Sequence, residues 1–421
     1  MGSVNLDNTG SGSGVVLSSD GTSLLLDGTA IGGGGGGAAL YAANEDNPTS
    51  QPSATGSNDI AIGDGAVASG SNSISIGASS SATGSASVAL GIEADATNTN
   101  SLSMGYQAVA SGVKAQAIGN FTDATATNSV ALGNGSQATA ANATAIGGAS
   151  AGGSYSTAIG RNSMNEGAVA TTNIAAMALN GYASGAASFA ASIDNNTSSY
   201  GATNTNTIAI GNTSKATGSS AAVLGTANQS TADLAVCLGH NNESTSAGAF
   251  SIGRYNWTPQ SDAIGMGMYS KAQSSNSLVW SSGRFNSHGD AQSSTIIVRA
   301  ATTDATVTTM ATGPSAQTYN QINVGGFRAM AFSALIVARE DKDDGSDNAA
   351  FKIEGLISRE SDEFTTVIDA SSKTTISNPN SWDVNVSADA TSALLKFAVT
   401  GVAGKNIKWV CTVTTSEVEY I

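Results

Sequence analysis

The sequence predicts an all-β protein: a solenoid of short parallel strands followed by an antiparallel β-sandwich. Three observations lead there. Gly63, Gly77, Gly91, Gly105, Gly119, Gly133 and Gly147 fall fourteen residues apart, each closing a short β-type run such as IAIG, ISIG or VALG. The same spacing returns at Gly211, Gly225, Gly239, Gly253 and Gly267. Beyond about residue 290 the period gives way to long alternating runs, and the composition shifts with it, since residues 290–421 hold 10 of the 16 Lys and Arg. A unit of fourteen residues cannot bury an apolar face alone, so successive units must stack.

The composition fits a thin object held by backbone hydrogen bonds. Of 421 residues 50 are Gly, only 5% are aromatic and only 11% are charged. A conventional core of Leu and Phe is therefore not available over most of the length. The net charge of −15 argues against nucleic acid, because phosphate binding needs clustered Lys and Arg. Cys237 and Cys411 are the only cysteines, too few for a disulfide framework or a metal set. Both sit in apolar alternations, which fits buried thiols in a chain assembled in a reducing cytosol. The opening MGSVNLDNTG lacks the features of a secretory signal, and no apolar run approaches membrane-spanning length, so no membrane insertion is expected.

Residues 1–50 read as an opening module of short strands and Gly/Ser/Asp turns, ending in a flexible joint, Gly32 to Gly37. A phosphate-binding loop would need a helix after those glycines, and Pro48 and Pro52 stand there instead. Residues 51–285 are the repeats. Each unit shows two alternating segments, such as Ala66/Ala68 and Ile74/Ile76, hence two short strands and two turns. The turn glycine suits a positive φ or a close neighbouring backbone. The series also includes Gly160, thirteen residues after Gly147. The next coil ends are expected at Asn180, Asp194 and Gly211, in steps of 20, 14 and 17, with the extra residues in edge loops. Ala, Ser and Thr are expected to fill such a coil poorly, so that self-association is needed to stabilise it.

Near the end of the repeats Tyr255, Trp257, Tyr269, Trp280 and Phe285 concentrate aromatic mass. Trp257 and Trp280 suit a sugar-stacking platform. The reading adopted is that Trp257, Trp280 and Phe285 form a cap over the open solenoid end. Residues 286–421 then alternate in seven stretches, from STIIVRA to NIKWVCTVTTSEVEY, as in a β-sandwich or jelly roll with a core of its own.

The units NSVALG (128–133), NATAIG (142–147) and STAIG (156–160), with the intermediate Ala108, Ala110 and Gly112, resemble the head repeats of trimeric autotransporter adhesins, the YadA-like head. That resemblance covers about half the chain. It implies a left-handed parallel β-roll, three of which pack around an axis, and hence a homotrimer. No heptad stalk or C-terminal membrane barrel of that family is visible. The opening segment and the closing GKNIKWVCTVTTSEV resemble instead the fibre-type virion proteins of marine and cyanobacterial phages.

Catalytic chemistry is not expected. His240 and His288 lie 48 residues apart with no Ser or Cys motif beside either. The carboxylates Asp64, Glu93, Asp95, Asp123, Glu166, Asp233, Glu243 and Asp262 are scattered, with no spacing that singles out a pair. EDKDDGSDN (340–348) lacks the order of a calcium loop and reads as a hairpin turn. TNTNT (203–207) does not recur at the coil period, against an ice-binding face.

The expectation is a non-enzymatic, trimeric tail fibre on the outside of a virion, with no cofactor or metal. Residues 1–50 attach it to other virion proteins, the solenoid is a rigid spacer, and the sandwich is a distal knob that meets host-cell surface polysaccharide or protein. A capsid decoration fibre of the same virion and a bacterial surface adhesin are the alternatives.

Overall fold

The computed structural model describes residues 50–160, 176–191, 200–313, 320–341, 345–360, 365–378 and 381–420, with the backbone of short strands at 4–5, 16–19, 24–26, 29–30 and 164–165. The chain divides into two compact units, 1–175 and 176–421. Every regular element in the described residues is a strand. The Gly32–Gly37 joint, Glu166 and Asp194 lie outside the described residues.

In the first unit, Val4–Asn5, Val16–Ser19, Leu24–Leu26 and Thr29–Ala30 form an antiparallel meander. The repeats follow as two parallel sheets. One stacks three-residue strands from Ile60–Ile62 to Thr157–Ile159. The other stacks two-residue strands from Ser53–Ala54 to Met164–Asn165. Each residue pairs with the one fourteen further on, as Val88 with Leu102 and Asp95 with Val109. The step shortens to thirteen where Ala138 meets Ala151 and Ile146 meets Ile159.

The interior of this coil is made of the smallest side chains. Ala61, Ser75, Ala89, Ser103, Ala117, Ala131, Ala145 and Ala158, the middle residues of successive strands, are all buried. Ala68, Ala82, Ala96, Ala110, Ala124, Ala138 and Ala151 are fully buried in the strands of the other sheet. The expectation that Ala and Ser fill the coil poorly is thus corrected. Small side chains close the space between the two sheets, and the mid-strand serines are satisfied locally, Ser75 Oγ with Ser80 Oγ at 2.7 Å and Ser103 Oγ donating to the Ala108 carbonyl. The Ile and Leu of each unit point outward instead.

All thirteen turn glycines of the series adopt positive φ, from 80° at Gly147 to 136° at Gly77 and Gly91. At Gly77 a Cβ would stand 2.2 Å from the Gly91 carbonyl oxygen, so the residue answers both a backbone and a stacking requirement. Left-handed backbone is not confined to glycine. Asn58, Asn72, Ala86, Asn100, Lys114, Asn128 and Asn142 form one positive-φ column, and Ser79, Glu93, Gln107 and Phe121 another.

In the second unit the coil resumes from Met177–Leu179 to Ser277–Ser281, with a second sheet from Gly201–Ala202 to Trp257–Thr258. Met177 pairs with Phe189 and Phe189 with Ile208. The steps there are twelve and nineteen where fourteen and seventeen were expected, because the deletion and the insertion compensate each other around a short coil.

The parallel sheet does not stop at Ser281. Residues Ser277–Ser281 pair antiparallel with Ala291–Thr302, Ser277 opposite Ile296 and Trp280 opposite Ser293. From there one antiparallel sheet runs in the order Ala291–Thr302, Ile407–Glu419, Arg328–Glu340, Asn348–Arg359, Thr366–Ser377. A smaller sheet of Asp383–Asp389 and Leu394–Thr400, with Thr308–Thr309 and Ile322–Asn323 on its other edge, covers it. Between them lies an ordinary apolar core of Ile296, Val298, Phe332, Ile336, Phe351, Phe397 and Val413 around Trp382 and Trp409, whose ring centroids are 5.8 Å apart. The Trp409 indole N–H donates to Thr302 Oγ1 at 3.0 Å. All seven alternating stretches are strands, and Arg339 opposite Asn348 makes 340–348 the connection between two of them.

Candidate functional site

Two surfaces of the solenoid carry the chemistry. The first is the outer face of the three-residue strands. In the first unit Ile62, Ile76, Leu90, Met104, Ile118, Leu132, Ile146 and Ile159 are successive rungs of one ladder. None of them is buried, with Ile76 37% and Leu132 41% exposed. In the second unit the matching ladder is Ile210, Leu224, Leu238, Ile252, Met266 and Trp280. Ile297, Val410, Leu335 and Val337 continue that face onto the antiparallel sheet, all exposed. Each unit thus leaves a row of apolar side chains exposed on one face of its strands.

The second surface lies on the other sheet of the second unit. Gln229, Glu243 and Trp257 are consecutive rungs there. Beside them Asn241, Tyr255 and Tyr269 occupy a positive-φ column, at φ 53°, 55° and 65°. Tyr255 and Tyr269 stack with centroids 5.0 Å apart and planes 6° off parallel. His240 meets the edge of Tyr255 at 5.3 Å and His288 that of Tyr269 at 5.4 Å. The two histidines, 48 residues apart in sequence, thus end one aromatic ladder. Cations cover it: Arg284 lies 4.0 Å and Arg254 5.6 Å from the Tyr269 and Tyr255 ring centres, and Lys271 Nζ 4.8 Å from that of Trp257.

The segment that brings in His288 is held by Asp290. Its buried carboxylate accepts the backbone N–H groups of Phe285, Asn286 and Ser287, at 2.9, 2.5 and 2.7 Å. Burial alone would raise this carboxyl, but the three N–H donors and Arg284 bring it below its ordinary value. The Gly289 N–H donates to the Tyr269 carbonyl. Burial, then the positive Arg284, lower the His288 imidazole from its ordinary value, so it is neutral at pH 7.

These elements line an open cavity of about 290 Å³ bordered by Gln229, Asn241, Glu243, Tyr255, Trp257 and His288, with the buried Asn242 and Asn256 also in its lining. Trp257 is half-buried at this cavity. Trp280 is 58% exposed on the other sheet, as the last rung of the aliphatic ladder, and Phe285 is 73% exposed on the segment that Asp290 holds. The structure therefore does not bring those three together, and the sheet edge beyond Trp280 is paired by Ala291–Thr302. Tyr255 and Tyr269, fourteen apart, were the sequence signal for the aromatic ladder; nothing in the spacing pointed to Glu243 or His288.

Elsewhere, burial and then the neighbouring Glu93 push Asp95 above the usual carboxylate value. Among the described residues no group of three or more His, Cys, Asp or Glu is placed to hold a metal ion. No helix in those residues is long and apolar enough to cross a membrane.

The family model of the YadA head domain repeat matches residues 54–80, 68–94, 82–108, 96–122, 124–150 and 202–232. Stretches in both of its units are therefore similar to YadA head repeats. No curated protein matches the chain. Among solved structures it is similar to a tailspike protein of Acinetobacter baumannii bacteriophage Fri1, described as a capsular polysaccharide depolymerase, at 9% identity over 86% of this chain and 70% of that one, TM-score 0.20. It is likewise similar to the tailspike protein of Acinetobacter baumannii phage AM24, at 8% identity over 91% of this chain and 78% of that one, TM-score 0.19. At those scores the folds do not superpose as wholes.

Proposed function

We propose that this protein is a non-enzymatic, trimeric adhesive fibre on the exterior of a phage particle. One observation carries the reading: the coil interior is filled mainly by Ala and Ser, with a few Thr, Asn, Val and Cys, while the large aliphatic side chains form an outward ladder in each unit. Burying each Ile or Leu contributes ~1.5–3 kcal/mol. The rungs are already partly buried, so each gains roughly half of that or less on association, and it takes the ladders of both units together to offset an association cost of ~4–15 kcal/mol. The YadA head repeats favour three copies around an axis, with the ladders inward. In the second unit the same sheet face runs on into the sandwich, so the three chains would remain in contact there. The opening and closing segments, which resemble phage fibre proteins, give the virion context.

In this reading residues 1–50 bind other virion proteins, the repeats are a spacer, and the fibre binds host-cell surface polysaccharide or protein. Three identical contact sites per fibre make weak single contacts sufficient. The test is adhesion of the purified full chain, fluorescently labelled, to cells of the host strain. Saturable binding supports the reading. Binding no greater than that of a labelled protein of similar size and charge contradicts it.

A further inference from the structure

We propose that the cavity between Glu243, Tyr255, Trp257 and His288 is a binding site for a hexopyranose unit of a surface glycan. This assignment rests on the adhesive reading only for the origin of the sugar; the site itself is argued from its residues.

The lining combines two kinds of group that a pyranose needs. Trp257 and Tyr255 supply the aromatic part of the lining; Tyr255 is stacked on Tyr269, and a sugar ring that packs its C–H face on Trp257 would take the place of Lys271, whose Nζ lies 4.8 Å from that ring centre. Gln229, Asn241 and Glu243 offer amide donors and acceptors and a carboxylate to its hydroxyls. Those three side chains make no hydrogen bond or ion pair to the protein among the described residues. The layer behind them is fully engaged. Asn242 Nδ2 donates to Asn228 Oδ1, Leu238 O and Gly253 O, and Asn256 repeats the pattern one coil on. Free hydrogen-bonding groups thus stand in front of a rigid wall whose own groups are all satisfied, as in a preformed ligand site.

The mouth of the cavity is rigid as well. Asn241 and Tyr255 hold left-handed backbone, which costs roughly 1 kcal/mol or more at each non-glycine residue. Asp290 fixes the segment that presents His288 with three backbone hydrogen bonds. A volume of about 290 Å³ takes one sugar ring rather than a chain of them. Among the lining residues the Glu243 carboxylate stands beside the amides of Gln229 and Asn241, a set that fits the hydroxyls of a polyhydroxylated ring. The cavity lies on the sheet opposite the aliphatic ladder, so burial of that ladder in an assembly leaves the cavity open.

The test titrates the purified full chain with methyl glycosides of glucose, galactose, mannose and N-acetylglucosamine, read by ligand-observed NMR and by tryptophan fluorescence. We expect saturable binding of at least one glycoside at roughly millimolar Kd. Glu243→Gln and Trp257→Ala should each weaken it at least about tenfold, with Trp257→Phe between wild type and Trp257→Ala. Glu243 is exposed, so its variant should keep the wild-type unfolding midpoint and serves as the control if Trp257→Ala misfolds. Absence of binding to all four glycosides, or binding that Glu243→Gln leaves unchanged, overturns the site. Cell adhesion by the same samples separates the two proposals. Adhesion unchanged in Glu243→Gln, with no glycoside binding, removes the site and leaves the adhesive reading. Glycoside binding without cell adhesion does the reverse.

Discussion

Asn242 donates from Nδ2 to Oδ1 of Asn228, 3.1 Å away and one coil earlier, with both side chains buried. Asn256 does the same to Asn242, and Ser270 closes the series by donating to Asn256 Oδ1. A column of amides thereby fixes the register of the second unit in a place where the first unit has Ala, Ser and Thr. A one-residue slip would leave the donors and acceptors of every rung unpaired.

Replacing Asn242 by Ala leaves its backbone N–H on Asn228 Oδ1 but removes the acceptor of the Asn256 backbone and side-chain N–H groups and the side-chain donor to the Leu238 and Gly253 carbonyls. A buried unsatisfied group costs ~1–3 kcal/mol, so Asn242→Ala should destabilise the second unit by roughly 2–4 kcal/mol. Thermal unfolding followed by circular dichroism should show a lower midpoint for the variant. An unchanged midpoint would mean that the column does not contribute to stability.

Gly77 and Gly135 separate two reasons for glycine. At Gly77 the added Cβ meets the Gly91 carbonyl at 2.2 Å, whereas at Gly135, φ 70°, nothing lies within 4 Å. Gly77→Ala should force two coils apart and open the first unit to protease. Gly135→Ala carries only the left-handed backbone cost, roughly 1 kcal/mol. Limited proteolysis of the two variants side by side distinguishes them, and equal sensitivity would contradict the stacking argument.

Asp290 gives the aromatic site a pH dependence. Its folded-state carboxyl titrates below the ordinary 3.8, so its contribution is present at every pH above that value. The contribution is lost as pH falls through the lower folded value. Amide-exchange protection at Phe285, Asn286 and Ser287, taken relative to unstructured peptide at the same pH, should therefore stay high at pH 5 and be lost only below pH 3.8. In Asp290→Asn that protection should already be low at pH 7.

The thiols should be inert while the protein is folded. Burial pushes Cys411 up to about 12 and raises Cys237 as well. A thiol reagent at pH 8 should find neither in the native protein and both after denaturation. Rapid native-state labelling of Cys411 would show that the sandwich core opens.

The period, the strand positions and the break near residue 290 are legible in the sequence because each depends on local spacing. Which face of the coil is inside is not. Alternation in ISIG says only that Ile74 and Ile76 share a side, and the thinness of the coil decides that the side is the outer one. The second positive-φ column was hidden because Ser79, Glu93, Gln107 and Phe121 share no chemistry, although Asn72, Asn100, Asn128 and Asn142 hinted at the first. The cavity was hidden for another reason: His288 reaches Tyr269 through a segment held by Asp290, a contact with no periodic signature.

The most direct test of the account is sedimentation equilibrium of the full chain at micromolar concentration, beside the double variant Ile76→Lys, Leu90→Lys. The account predicts a wild-type mass three times the 41.4 kDa of one chain and a variant shifted toward smaller species. A wild-type protein that sediments as a stable 41.4 kDa monomer would contradict it, because the outward aliphatic ladders would then face water.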